Sequence, residues 1–405
     1  MTGTDYFSSL YLHIPFCKSK CHFCNAATKV INPNSNSAID DYCKALKYEM
    51  ENKKSAFDNI SSLSTSSLSL PSGDADVYFG GGTPSLLEPR HFIELIAAAE
   101  MNFGVVPGKN IISLELMPDA FSSQYFKDLA DTSINRLSIA AQTFNDDILK
   151  RLKRKYTAKD STNCFIKASN GRFVDVMCEL MWGYDPDNIN QLRDDIEIGI
   201  DSGATSFSLY WYNVYDKNYT LDRRSENVLV ESYMLAHDLL LRNGFIELSF
   251  SRYSKPTICV SKYLGSNGPG ITASPRGNIL GLGWGAKTFY GGGVGFYSCD
   301  LQTYIKSNVE NSYEFKLFDN DEFSLGATFI DLIFNKSVTR DSFGASTLTS
   351  GFFSYLQSKD AVTNIGNEYF TTIKGRALMD YYLHKAWHSN VGGRFDLVPR
   401  IPDVQ

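Results

Sequence analysis

At 405 residues the chain has room for two or three domains of roughly 150 residues, or for one α/β barrel with an appendage. Its 43% hydrophobic and 21% charged residues exclude a disordered or collagen-like polymer; 39 basic against 45 acidic side chains, net charge −6, exclude a global attraction to nucleic acid or anionic lipid. The start MTGTDYFSSL lacks the charged-then-apolar order of a secretory signal, and no apolar run reaches bilayer-spanning length. A cytoplasmic protein with neither nucleic-acid nor membrane partners is expected.

In chain order, β-prone runs stand at Leu10 to Ile14, Val77 to Phe79, Ile111 to Leu116, Leu137 to Ala141, Phe173 to Met181 and Ser206 to Tyr212. The stretches between them are long enough for crossover helices, which is the cadence of parallel βαβ units with functional loops at the carboxyl ends of the strands. Ile39 to Met50 predicts a helix and the serine-rich Ser61 to Gly73 a loop. After Tyr212 come a helix around Val228 to Leu241, the strand-like FIELSF and a glycine-rich section from Gly265 to Gly295. From Asp300 onward glycine is sparse, and the final TTIKGRALMDYYLHKAW spaces Leu378, Tyr381 and Tyr382 for one helix face. Residues 1–299 thus read as a barrel with a glycine-rich extension, and residues 300–405 as a small, mostly helical domain covering it.

Three of the eight cysteines, Cys17, Cys21 and Cys24, follow the strand LYLHI with the spacing C-x3-C-x2-C. Such spacing in a large chain without a signal peptide points to metal or redox chemistry rather than to disulfides. Three thiolates on one loop leave two options: a zinc site closed by His22 or His13, or a four-iron cluster with one iron open to a ligand. The turn Tyr78-Phe79-Gly80-Gly81-Gly82-Thr83-Pro84 ends the second strand, where glycine permits close backbone approach. Tyr11 and His13 alternate on the first strand and so face one side, toward the barrel interior.

With Phe23 just before the last cysteine, the C-x3-C-x2-C loop resembles the signature of radical S-adenosylmethionine (SAM) enzymes. The resemblance implies a partial (β/α)6 TIM-like barrel and a [4Fe-4S] cluster on Cys17, Cys21 and Cys24, with S-adenosylmethionine chelating the open iron. One electron, delivered by a donor such as flavodoxin or ferredoxin, would break the sulfonium bond and release a 5′-deoxyadenosyl radical. Gly80, Gly81, Gly82 and Thr83 match the motif that holds the methionine amino group.

Five local patterns, from YLHIPFC to ILGLGWGAKTFYGG, resemble the oxygen-independent coproporphyrinogen III oxidase-like branch. By that resemblance Glu115 and Gln142 contact the S-adenosylmethionine, and Arg154 pairs with its carboxylate, a role suited to a guanidinium. Glu179, where the branch usually has Asp, would accept from the ribose hydroxyls. The YxHxPFC context resembles the same branch, where these side chains lie near the reacting groups, which makes Tyr11 and His13 the candidate catalytic pair, with His13 a proton-transfer or orienting residue.

Two departures from the branch shape the functional expectation. The porphyrinogen decarboxylase has a further Cys where this chain has Ala26, and heme-chaperone relatives carry an HNxxYW-type segment where ICVSKYLGSNGPG has neither His nor Trp. Elimination leaves the class C methyltransferases and cyclopropane-forming enzymes, which use two S-adenosylmethionines to deliver a methyl or methylene group to an sp2 carbon of a small molecule. Gly283, Trp284 and Lys287 would then hold the second S-adenosylmethionine. Tyr210, Trp211, Tyr212, Arg252 and Tyr253 would line a flat pocket for an aromatic or unsaturated substrate. The alternatives are an oxidative decarboxylase or ring-opening enzyme acting on a tetrapyrrole, and a heme chaperone without turnover.

Overall fold

The computed structural model describes residues 7–21, 23–24, 26–32, 36–61, 75–118, 121–184, 188–212, 223–258, 278–290, 293–306 and 312–388. The serine-rich loop, His22 and most of the segment ICVSKYLGSNGPG lie outside them. The barrel unit begins with β1 (Phe7–Ile14), β2 (Phe16–Cys17), β3 (Lys29–Val30), α1 (Asn36–Ser61), β4 (Asp76–Gly81), α2 (Pro89–Phe103), β5 (Ile112–Leu116) and α3 (Ser123–Ala130). It continues through β6 (Arg136–Gln142), α4 (Asp146–Arg151), α5 (Ala158–Ser169), β7 (Asp175–Trp182), α6 (Gln191–Asp201), β8 (Ser206–Trp211) and α7 (Arg223–Arg242). There follow β9 (Ile246–Ser249), β10 (Arg252–Ser254), β11 (Asn278–Leu282), β12 (Lys287–Tyr290), β13 (Gly293–Tyr297), α8 (Leu301–Ile305) and β14 (Tyr313–Leu317). The chain closes with α9 (Asn320–Asn335), β15 (Ser337–Thr339), α10 (Thr347–Ser358), β16 (Val362–Ile365), β17 (Glu368–Thr371) and α11 (Ile373–His388).

Six strands expected from the sequence, β1 and β4 to β8, run parallel as neighbours at the centre of a twelve-stranded sheet. The alternation of side chains sorts each strand into an apolar and a polar row. On β1, Leu10, Leu12 and Ile14 are fully buried in the main core, whereas Tyr11 belongs to a separate cluster with Tyr78 and Ile279. At the amino-terminal ends of β6 and β7, Arg136 Nε and Asp175 Oδ2 form a buried ion pair of 2.8 Å. Asp175 also accepts from the hydroxyls of Thr205 and Ser206, so the charges are paired and hydrogen-bonded as burial requires.

The described part of the glycine-rich section, residues 278–290 and 293–295, is built into the sheet. β11 pairs in parallel with β1, and β12, β13 and β14 continue the same sheet antiparallel beyond it. The other edge is β10 and β9 beside β8.

The carboxyl-terminal helices surround a small three-stranded sheet, β15-β17-β16. Leu378, Tyr381 and Tyr382 are all buried on α11, as their spacing predicts. Tyr381 meets Trp211 edge-on with ring centroids 5.3 Å apart, and Glu247 of β9 binds both Lys336, at 2.7 Å, and Arg376. Among the described residues no helix is long and apolar enough to cross a membrane.

Candidate cofactor site

The cysteine loop leaves β1 at its carboxyl end and is clasped at its base. Lys29 N donates to Pro15 O at 2.7 Å and Ile31 N to Cys17 O at 3.0 Å, so β2 and β3 hold the two ends side by side. His13 lies beneath the loop. Its Nε2 is 2.8 Å from Ala27 O; a carbonyl only accepts, so Nε2 carries the proton and Nδ1 accepts from the Tyr11 hydroxyl at 3.1 Å. Burial pushes the imidazole down to about 4, opposed by the bond to Ala27, so His13 is neutral. With both nitrogens engaged, His13 is not available to close a zinc site. Among the described residues no three His, Cys, Asp or Glu side chains gather as around a single ion.

A cleft of about 160 Å³ opens at the carboxyl ends of the parallel strands. It brings together Cys17, Cys21, Phe23, Cys24, Gly81, Gly82, Thr83, Glu115, Gln142, Arg154 and Glu179, which are far apart in the chain. The glycine turn is a cradle in the strict sense. A Cβ on Gly82 would sit 2.6 Å from Phe16 O and 2.9 Å from Cys17 Sγ, and Gly81 has φ +119°. Gly81 N donates to Glu115 Oε2 at 3.1 Å, the Tyr78 hydroxyl to Glu115 Oε1 at 3.0 Å, and the Thr83 hydroxyl to Cys17 Sγ at 3.6 Å. Burial, reinforced by the nearby Glu179 carboxylate, raises Glu115 well above the ordinary carboxylate range. The Ser138 hydroxyl donates to Glu179 Oε1.

Among the described residues, two side-chain atoms in the cleft wall lack a hydrogen-bond partner. Gln142 ends β6 with φ +66°, after a break in strand register, and its Oε1 is buried without a hydrogen bond. A non-glycine residue held in the left-handed region is a strained position of the kind found at ligand sites. The Arg154 guanidinium stands 5.2 Å from the Phe23 ring centroid and 5.7 Å from that of Tyr156, with Nε buried and unpaired. Tyr156 is fixed in turn by its hydroxyl, which donates to Ala140 O at 2.6 Å. Burial pushes the Cys17 thiol up to about 11 and raises Cys24 as well. As free thiols they would be protonated; a bound metal would hold them as thiolates. Soft sulfur donors, a cradle closed to any Cβ, an orphaned acceptor and an orphaned cationic donor together fit a [4Fe-4S] cluster and S-adenosylmethionine.

Other expected residues are elsewhere. Gly80 packs against Tyr11, and neither Tyr11 nor His13 lines the cleft. Gly283 N donates to Glu49 Oε2 at 2.7 Å and Trp284 Nε1 to Cys299 O at 2.8 Å, so this turn is built into the interior and does not present a second cofactor site to the cleft. The supposed aromatic pocket also divides. Trp211 packs with Tyr381, Tyr212 with Tyr184, and Tyr253 with His237, because neighbouring positions on a strand face opposite ways.

Sequence reasoning passed over four supporting residues. Tyr42 donates to His13 O at 2.6 Å, Glu49 accepts from Gly283 N and from the hydroxyls of Tyr297 and Tyr304, Ser138 holds Glu179, and Tyr156 underlies Arg154. Only the last two had a sequence signal: strand alternation for Ser138, and closeness to Arg154 for Tyr156.

The radical SAM superfamily model matches residues 11–198. Among curated proteins, the heme chaperone HemW of Bacillus subtilis is 25% identical over 319 residues, 76% of this chain and 78% of its own. HemW of Lactococcus lactis is 25% identical over 293 residues, 70% of each chain. The oxygen-independent coproporphyrinogen III oxidase of Bradyrhizobium diazoefficiens is 21% identical over 69% of this chain and 61% of its own. Among solved structures, coproporphyrinogen III oxidase (HemN) from Escherichia coli superposes with a TM-score of 0.71 over 95% of this chain and 91% of its own, at 18% identity, which shows a common fold.

These relatives overturn the expected transfer of a methyl or methylene group to a small molecule. That expectation rested on the absence of two short motifs, whereas the likeness to heme chaperones runs through most of the chain. The cysteine loop, the glycine cradle and the parallel strands that carry them lie within residues 11–198, the segment that the radical SAM superfamily model matches, in a chain similar to the HemW and HemN proteins.

Proposed function

We propose that this chain is a heme chaperone: a radical SAM protein that binds a tetrapyrrole and hands it on. One observation carries the reading. The similarity to HemW covers 76% of the chain, well beyond the superfamily segment that ends at residue 198, and so includes strands and helices that cofactor binding alone does not require.

Cys17, Cys21 and Cys24 would hold the cluster, and Arg154 would take the S-adenosylmethionine carboxylate while stacked on Phe23. Gly81, Gly82 and Thr83 would admit its amino group at the loop, with Glu115, Gln142 and Glu179 supplying acceptors for its remaining donors. When bound, the cluster and S-adenosylmethionine supply one-electron chemistry. His13 serves as a positioning residue, holding Ala27 and thereby the far end of the cysteine loop. The carboxyl-terminal segment 300–405 acts as a cover for the barrel, and a small redox protein of the flavodoxin or ferredoxin kind is the electron donor.

The test is anaerobic reconstitution with iron and sulfide, then titration with hemin. Saturable binding near one equivalent with a shifted Soret band is expected. No shift above that given by an unrelated protein overturns the reading. Release of carbon dioxide from coproporphyrinogen, with 5′-deoxyadenosine, would replace it with an oxidative decarboxylase.

A further inference from the structure

The inner face of the sheet extends past the cofactor cleft onto β11 and β12. Ile279 lies directly opposite Phe289 and packs with Tyr11 and Tyr78, so Phe289 shares their face. Strand alternation puts Lys287, two residues away, on that same face, while Thr288 and Tyr290 turn into the core. β1 pairs Tyr11 with Gly281, and a Cβ on Gly281 would lie 2.3 Å from Lys287 O, so the Lys287 main chain packs against the strand neighbour of Tyr11. The result is a pair of partly exposed aromatic rings, Tyr11 and Phe289, backed by the buried Tyr78 and Ile279, with the Lys287 ammonium beside them.

Among the described residues no carboxylate forms an ion pair with Lys287, and burial alone pushes it down to about 8. Lys287, Phe289 and Tyr11 are each only partly buried although their strands lie inside the sheet, which marks them as bordering space the described residues leave open. An ammonium half-withdrawn from water without an anion is unfavourable, and an anionic ligand group would offset that cost.

We propose that Lys287 anchors a carboxylate of a flat, apolar ligand lying against the accessible edges of Tyr11 and Phe289. The proposal rests on the tetrapyrrole reading and names the group by which the macrocycle is held: a peripheral carboxylate, with the ring against the two aromatic edges. The same ammonium could meet the carboxylate of an S-adenosylmethionine, and the experiment separates the two.

The full chain and its Lys287→Gln variant are reconstituted anaerobically and titrated with hemin, with hemin dimethyl ester and with S-adenosylmethionine. Loss of a charge-assisted bond predicts that hemin binds K287Q about tenfold more weakly, while the ester binds both proteins alike within about twofold. S-adenosylmethionine affinity is expected to be unchanged, and Lys287→Arg to restore hemin binding. Equal hemin affinity for wild type and K287Q overturns the anchor while leaving the chaperone reading intact, and a fall in S-adenosylmethionine affinity reassigns Lys287 to the cofactor. A wild-type chain that binds neither porphyrin sinks the tetrapyrrole reading itself, and the anchor with it.

Discussion

His13 offers a test that reaches from a side-chain environment to a measurable stability. The imidazole is neutral in the folded chain, held down to about 4 by burial, while its ordinary value of 6.5 applies when unfolded. Between these values the unfolded chain binds a proton that the native chain does not. The stability contributed by keeping His13 neutral is therefore complete above about pH 6.5, declines as pH falls, and is exhausted near pH 4, a loss of about 3 kcal/mol at roughly 1.36 kcal/mol per unit.

The perturbation is His13→Gln, which keeps an N–H able to reach Ala27 O and removes the titration. Urea unfolding of the cluster-free chain under reducing conditions, at pH 7.5 and pH 5, gives two stability gaps between wild type and variant. The gap should shrink by about 2 kcal/mol at pH 5. Buried carboxyls such as Asp195, which burial raises to about 6, titrate in both proteins and cancel in the difference. A gap that stays constant across this range would mean that native His13 takes up a proton freely. The single tautomer beneath the cysteine loop would then be wrong.

Three further outcomes are expected. Arg154→Met should weaken S-adenosylmethionine binding by about ten- to a hundredfold in equilibrium dialysis, since hydrogen bonds to charged groups are worth roughly 1.5–3 kcal/mol, with iron content unchanged; an unaltered affinity would remove Arg154 from the site. Gly82→Ala should lower the iron bound per chain after reconstitution, because its Cβ meets the fixed Phe16 carbonyl, while Gly326→Ala, whose Cβ meets nothing, serves as a control that loads normally. Asp175→Asn leaves Arg136 buried without its counter-ion and should destabilise the chain by about 3–5 kcal/mol, read as a lower midpoint in chemical unfolding; a shift under about 1 kcal/mol would mean the pair is hydrated.

The cofactor chemistry is legible in the amino-acid sequence because it is local. Cys17, Cys21 and Cys24 sit on one loop and the glycine turn follows the next strand, whereas Gln142 reaches the cleft through a break in strand register that alternation does not foretell. Six strands and the buried face of α11 are likewise fixed by periodicity that each segment carries within itself. What the sequence leaves undecided depends on contacts between distant segments. Gly283 and Glu49 meet across 234 positions, and that meeting, rather than the glycine pattern, turns GLGWGA into a packed floor under His13 instead of a cofactor loop. The sequence singles out Lys287 only by its place after the glycine-rich turn; pairing of β12 with β11 puts it on the inner face, without an ion-pair partner among the described residues. Periodicity assigns a side chain to a face, but which neighbour, charge or open space that face meets is decided only when strands far apart in sequence are paired.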